Sequence, residues 1–176
     1  MKTTGSGTVG EPGVPLNMGK LVDITELAKV RQSAREDGLT VVFTNGCFDI
    51  LHMGHVHYLS RARALGDVLF IGLNSDASVK KLKGEKRPIV PEADRAGVLC
   101  ALSCVDYVCV FEEETPDRII REVAPDVLVK GGDYKPDEIV GADFVRGRGG
   151  KVVVIEALDG RSTQSLIDAI LRRFGS

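Results

Sequence analysis

From residue 39 onward, short uninterrupted apolar runs alternate with stretches in which apolar residues recur every three or four positions. The runs are LTVVFTN, DVLFIGLNS, VDYVCVF, DVLVKGG and KVVVIEA. Rich in Val, Ile and Leu and lacking polar alternation, they are predicted to be strands buried on both faces. The first helical stretch comes earlier: Ile24, Leu27, Val30 and Ala34 share one face, Asp23 and Glu26 have capping-box spacing, and Gly38 stops the pattern. Further helices are predicted from about Gly54 to Leu65, around Ala77 to Lys81, from Glu92 to Ser103, over TPDRIIREVA, near Ala142, and from Ser162 to Phe174.

Strands and helices in alternation define an α/β class. The expected architecture is a Rossmann-like, open five-stranded parallel sheet with helices on both faces, three layers in all. In such sheets ligands bind beyond the carboxyl ends of the strands, where strand order reverses. The segments that follow strands are therefore the ones to inspect: TNGCFDILHMGH, NSDASVKKLKGEKR, KGGDYKPDE and LDGRSTQ.

Residues 1–20 hold five glycines, two prolines and few large apolar side chains, a composition that does not repay the entropy of ordering. They are read as a flexible tail, and residues 21–176 as a single domain. The tail's Gly5, Gly7 and Gly10 match G-x-G-x-x-G, but no strand precedes them and Glu11-Pro12 follows, so the fingerprint lacks its structural context. Gly19-Lys20 is no phosphate-binding P-loop either, because Leu21 stands in place of Ser or Thr.

A net charge of -2 provides no global field for nucleic acid, so any bound anion must be held by a local cluster. Cys47, Cys100, Cys104 and Cys109 show no C-x-x-C spacing, which favours a reducing compartment. No apolar run approaches a membrane span and no signal-peptide pattern is present; a cytoplasmic protein with no membrane partner is expected.

All three histidines fall at positions 52, 55 and 57. Asn45 and Gly46 leave the first long strand in a turn, Asp49 is suited to brace the loop, and Gly54 opens the way to the helix. His52 and His55 are three apart at that helix start and can share a face beside its unpaired N–H groups and positive dipole end. Such a site suits a phosphate passing through a five-coordinate state, without a protein nucleophile. His57 has no glycine context and is read as structural or solvent-facing. KKLKGEKR carries five basic residues in eight; the charge run alone reads as a solvated loop, whereas its place after a strand favours phosphate contact. Gly131, Gly132 and Asp133 allow close backbone approach, and Tyr134 either stacks on a base or covers the loop. Ser162 and Thr163 open the last helix, where capping alone would explain them. Cys100, Cys104 and Cys109 read as packing residues.

GCFDILHMGH resembles the signature of the nucleotidyltransferase superfamily that includes cytidylyltransferases and small adenylyltransferases. With LNSDASVKKLKGEKRP, ADRAGVLCALSCVDYV, PDVLVKGGDY and GRSTQSLI following in order, the chain after residue 20 is most similar to the adenylyltransferase half of ADP-heptose synthases. That resemblance implies transfer of AMP from ATP to D-glycero-β-D-manno-heptose 1-phosphate, with Mg²⁺ on the phosphates and the sugar phosphate attacking in line. It implies His52, His55 and Lys83 as catalytic residues and Asn45, Gly46, Cys47, Phe48, Asp49, Gly131, Asp133, Ser162 and Thr163 as nucleotide-binding ones. Lys81, Arg87 and Arg161 are candidates for substrate binding, Lys86 for an assisting clamp. No metal ligand is assigned to a protein side chain.

The sequence departs from the pattern at three places. Glu85 stands where cytidylyltransferases often have a second lysine, Ala157 where they have an arginine, and Gln164 where the third hydroxyl of S-T-T belongs. A cytidylyltransferase for glycerol 3-phosphate or another polyol phosphate, and a non-catalytic nucleotide-binding module, are the alternatives. The resemblance further implies a separate heptose kinase and phosphatase as suppliers of the sugar 1-phosphate, and leaves a homo-oligomer open.

Overall fold

The computed structural model describes residues 18–132 and 134–175. Six parallel strands form one sheet: β1 (Lys20–Leu21), β2 (Val41–Gly46), β3 (Val68–Asn74), β4 (Tyr107–Phe111), β5 (Val127–Gly131) and β6 (Lys151–Ile155). Their order is β1-β4-β3-β2-β5-β6. The expected count of five is thus corrected to six. The added strand is a two-residue edge element, defined by Lys20 N–H donating to the Asp106 carbonyl and Val22 N–H to that of Val108. It has no apolar run, and both of its residues are exposed, so no hydrophobic pattern announces it. Of the tail expected over residues 1–20, residues 1–17, with their glycine triplet, lie outside the described part, while Gly19 and Lys20 are hydrogen-bonded to the sheet and its neighbour Cys100.

Seven α-helices accompany the sheet among the described residues: α1 (Ile24–Glu36), α2 (Met53–Arg63), α3 (Asp76–Lys83), α4 (Glu92–Cys100), α5 (Asp117–Val123), α6 (Ala142–Gly147) and α7 (Thr163–Phe174). Asp23 caps α1, its carboxylate accepting the Glu26 N–H at 2.8 Å, and Gly38 leaves the helix with φ +70°. Alternate strand residues serve opposite layers. Val41, Phe43, Phe70 and Leu128 pack with Leu27 of α1, Ile119, Ile120 and Val123 of α5, and Val145 of α6. Val42, Leu69, Ile71 and Val129 pack with Leu59 and Ala62 of α2 and Ala96 and Leu99 of α4. The result is a three-layer α/β domain with no polar alternation in its central strands.

The chain runs outward from β2 through β3 to β4, then crosses back to β5 and β6 on the other side of β2. The reversal falls between β2 and β5, and in this topology ligands are received in the crevice beyond the carboxyl ends of such a strand pair.

The opposite end of the sheet is closed by Arg31, which is 8% exposed. Its Nε donates to the carbonyls of Val123 and Ala124, and Nη2 pairs with Asp126 at 2.8 Å. Asp126 also accepts the Val41 N–H at 2.8 Å, so one arginine joins α1 to the α5–β5 turn and the start of β2. Arg31→Met is expected to lower unfolding free energy in urea by about 2–4 kcal/mol, because it leaves the Val123 and Ala124 carbonyls without the guanidinium donors and Asp126 without its cation; a loss within error of zero would contradict this role.

Candidate functional site

β2 delivers Asn45 and Gly46 to the crevice, and residues 47–52 carry the chain into α2. The loop is strained: Phe48 and Ile50, neither a glycine, have φ +47° and +49°. Such residues cost on the order of 1 kcal/mol each and persist only where surrounding contacts impose them. Asp49 supplies those contacts. Its carboxylate, 2% exposed, accepts the N–H groups of Ile89 and Val90 at 2.9 Å and the Arg87 Nε at 2.6 Å. Burial alone would raise its pKa, but these donors outweigh it and hold the carboxyl below the ordinary aspartate range. Asp49 therefore braces the loop as expected, though through the segment after α3 rather than through its own turn.

His52 occupies the N-cap of α2, and its Nδ1 accepts the Gly54 N–H at 3.1 Å. Neutral imidazole accepting at Nδ1 carries its proton on Nε2, which leaves a donor for a ligand. The His55 ring stacks on His52 with 3.9 Å between centroids and meets the edge of Phe48 at 5.4 Å. Its Nδ1 is buried without a partner among the described residues. Burial first, and His52 second, push His55 down to about 4 against a smaller opposing pull from Asp49. Burial also lowers His52. Near neutral pH both rings are uncharged, so what they offer beside the helix dipole is hydrogen bonding rather than a fixed positive charge. His57, half-buried on α2, has no side-chain hydrogen bond among the described residues.

Gly54 has no room for a side chain: a Cβ there would lie 2.7 Å from the Arg161 carbonyl oxygen and 2.9 Å from the His52 ring. That contact brings the start of α7 against the start of α2. Thr163 secures it by donating from Oγ1 to the Asp49 carbonyl at 2.8 Å. Ser162 caps α7, accepting the Ser165 N–H at 3.0 Å, with the two serine hydroxyls 2.6 Å apart. Gln164, in the position expected for a third hydroxyl, instead bonds Asp168 on the exposed side. The hydroxyl beside Ser162 is thus that of Ser165, one residue later. Arg161 itself is exposed.

The basic segment divides by environment. Lys83 is exposed at the end of α3, before Gly84 with φ +91°, yet close enough for its charge to act on the Cys47 thiol. Lys81 sits 3.9 Å from exposed Glu114, a pair of little strength. Arg87 is the partner of buried Asp49. Gly131 ends β5 against the Tyr58 ring, where a Cβ would come within 3.0 Å, and Tyr134 is half exposed. Asp133 lies outside the described residues.

Two residues at the site lie outside the candidates that the sequence offered. Arg95, 1% exposed on α4, donates from Nη1 to the carbonyls of Cys47 (2.5 Å) and Asn74 (2.9 Å), from Nε to Val90 (2.9 Å), and pairs with Asp76 at 2.7 Å. A lone arginine on an amphipathic helix reads as solvent-facing. Lys130 sits near the end of β5 with Nζ 2.9 Å from the Asn45 amide oxygen. A lysine at the carboxyl end of an otherwise apolar buried strand is the clue that would have found it. Burial outweighs the four nearby cations Lys83, Arg95, Arg87 and Lys130 and raises the Cys47 thiol, which is therefore protonated near neutral pH. Cys100 and Cys109 are buried in the core, Cys109 with its thiol pushed up to about 11 by burial foremost.

The domain is therefore a doubly wound α/β unit whose switch point gathers two helix N-termini, two neutral imidazoles and several cations, groups that can receive an anion. The cytidylyltransferase-like family model matches residues 43–157, and the chain belongs to that family. Among curated relatives, Bifunctional protein HldE of Geobacter metallireducens is 50% identical over 179 residues, covering 97% of this chain and 36% of that protein. Its namesake from Syntrophotalea carbinolica is 56% identical over 148 residues, covering 84% of this chain and 30% of that one. The chain thus spans about a third of the length of these relatives.

A solved structure, the lipopolysaccharide core biosynthesis protein from Thermoplasma volcanium GSS1, is 31% identical with a TM-score of 0.55, covering 69% of this chain and 98% of its own. Pantoate-beta-alanine ligase from Francisella tularensis, 14% identical with a TM-score of 0.60 over 88% of this chain and 79% of its own, shares the fold.

Asp49 contributes stability that is complete above the ordinary aspartate pKa and lost as pH falls through its lowered folded value. Asp49→Asn is expected to lower unfolding free energy at neutral pH by about 2 kcal/mol. It should also flatten the acid limb of the stability–pH curve below the ordinary value of 3.8. Denaturant titrations across that range check both, and an acid limb identical to wild type would remove Asp49 as the brace.

Proposed function

We propose that this domain is a sugar-phosphate adenylyltransferase, moving AMP from ATP to D-glycero-β-D-manno-heptose 1-phosphate with release of pyrophosphate. The observation that carries the reading is the convergence of the α2 start, the α7 start and Lys83 on one switch-point crevice. The relatives' name and the family membership support it. An acceptor phosphate oxygen attacks the α-phosphorus as the bond to pyrophosphate breaks. The acceptor is already anionic, so the step requires no general base, and a protonated Cys47 offers no thiolate nucleophile.

The protein's part is positioning and stabilisation of charge on the transferring group. His52 and His55 donate to its oxygens, the helix N-termini add N–H groups, and Lys83 closes from the α3 side. Asn45, Gly46, Cys47 and Phe48 supply backbone around the nucleotide, as does Gly131 at the end of β5; Asp133 is assigned to the nucleotide by the resemblance alone. Ser162 and Thr163 hold the far phosphates. Lys81, Arg87 and Arg161 are the acceptor-side candidates; of these Arg87 also anchors Asp49.

Among the described residues no group of three or more His, Cys, Asp or Glu side chains stands together as a metal site. Asp49, the acid within the loop, is committed to Arg87 and backbone donors. Mg²⁺ would be held by the nucleotide's own phosphates, where it would supply charge neutralisation for the departing pyrophosphate.

No helix among the described residues is long and apolar enough to cross a membrane. The proposed setting is the cytoplasm, with no nucleic-acid partner, a kinase and a phosphatase supplying the sugar 1-phosphate, and self-association as a possible assembly.

Pyrophosphate release measured with ATP, CTP, GTP and UTP against heptose 1-phosphate and glycerol 3-phosphate is expected to be fastest for ATP with heptose 1-phosphate. Turnover confined to CTP and glycerol 3-phosphate would replace the reading with a cytidylyltransferase; nucleotide binding with background release would make it a binding module. His55→Ala is expected to reduce turnover by about 10²-fold or more, and wild-type turnover in that variant would exclude the imidazole from catalysis.

A further inference from the structure

We propose that Lys130 is a further catalytic residue of this crevice, its ammonium holding a phosphoryl oxygen of the bound substrates. The inference rests on the adenylyltransferase reading and adds to it a contact from the β5 side, opposite Lys83.

Lys130 stands on β5 beside β2, at the strand reversal itself. Its Nζ lies 2.9 Å from the amide oxygen of Asn45 and 3.4 Å from the Asn45 carbonyl, one residue before Gly46 and the phosphate loop. The Tyr134 ring is 5.9 Å away. Every element packed against this ammonium offers neutral groups among the described residues. β2 presents Asn45 and the loop presents the protonated Cys47 thiol; Tyr58 of α2, against neighbouring Gly131, has its hydroxyl engaged by Thr44 at 2.5 Å. After β5 comes Tyr134. The other charges around Cys47 are cationic: Lys83, Arg87 and Arg95.

The arginines differ from Lys130 in one respect. Arg87 is matched by Asp49 and Arg95 by Asp76, whereas Lys130 faces only amide oxygens among the described residues. A lysine placed merely to orient Asn45 gains a charge-assisted hydrogen bond, but it is penalised for its burial and meets no carboxylate among the described residues to offset that. An anion in the crevice repays that penalty. The same burial lowers the amine to about 8, so the free enzyme holds Lys130 near the boundary between its charged and neutral forms, and a bound phosphate favours the charged one. No proton or electron moves in the step: the ammonium stays protonated while the adenylyl group passes from pyrophosphate to the acceptor phosphate.

Lys130→Met and Lys130→Arg separate this role from packing. With ATP and the sugar phosphate, Lys130→Met is expected to lose about 10–100-fold in kcat/KM, while Lys130→Arg retains most of it. A rise confined to the acceptor's KM locates the contact on the acceptor monoester; a fall in kcat with both KM values held locates it on the transferring phosphoryl group. Wild-type kcat/KM should decline as pH rises through about 8, and the Lys130→Arg enzyme should lack that decline, because guanidinium keeps its proton. Wild-type kinetics in Lys130→Met would overturn the proposal.

Should wild type show no turnover, or both variants be equally inactive, NMR of side-chain-labelled lysines in the wild-type protein decides instead. The Lys130 resonance, identified by its loss in Lys130→Arg, should titrate at higher pH when sodium phosphate or pyrophosphate is added. A midpoint unmoved by either anion would reject the contact, whereas absent turnover with a moved midpoint would reject only the adenylyltransferase reading.

Discussion

One buried guanidinium holds the carboxyl end of this sheet together. Arg95 reaches from α4 into the sheet and gathers the Cys47 carbonyl at the end of β2, the Asn74 carbonyl at the end of β3, the Val90 carbonyl and the Asp76 carboxylate at the start of α3. A buried charge is costly unless its donors find acceptors, and here four separate segments supply them. The consequence is geometric. Loop residues 47–52, α3 with Lys83, and the segment carrying Arg87 are held to one origin, and the crevice inherits its shape from that junction.

Asp49 completes the arrangement from the opposite sign. It binds Arg87 and the N–H groups of Ile89 and Val90, while its own carbonyl receives Thr163 at the start of α7. Two positive-φ residues flank it, a strained loop that these bonds over-determine. Because the brace consumes the loop's carboxylate, what faces the crevice is neutral imidazole, backbone N–H and cations. Such a set of neutral donors and cations, already held in place, suits an anionic ligand.

Much of this was legible in the sequence, and the remainder fails for identifiable reasons. The five apolar runs became five strands because central parallel strands bury both faces and leave no alternation to misread. β1 escaped because an edge strand of two exposed residues depends on hydrogen bonds to β4, which no side-chain pattern encodes. Asp23 capped α1 as its spacing indicated, since a cap is a local contact. The stacking of His52 on His55 follows from their three-residue spacing, but the role of His52 as the N-cap does not, because that cap is ordinarily a short polar side chain. Gln164 looked like a defect in the phosphate motif; the helix start instead sets Ser165 beside Ser162. Arg95 and Lys130 were hidden because their meaning lies in partners 48 and 85 positions away in the chain.

The central claim is that the crevice between β2 and β5 is where the nucleotide's phosphates lie. A crystal structure with a non-hydrolysable ATP analogue and Mg²⁺ tests it most directly. The triphosphate is expected against the starts of α2 and α7, within hydrogen-bond distance of His52 or His55 and of Ser162 or Thr163, with Arg95 and Asp49 unmoved. A nucleotide bound elsewhere on the domain, or phosphates that bypass both helix starts, would contradict it.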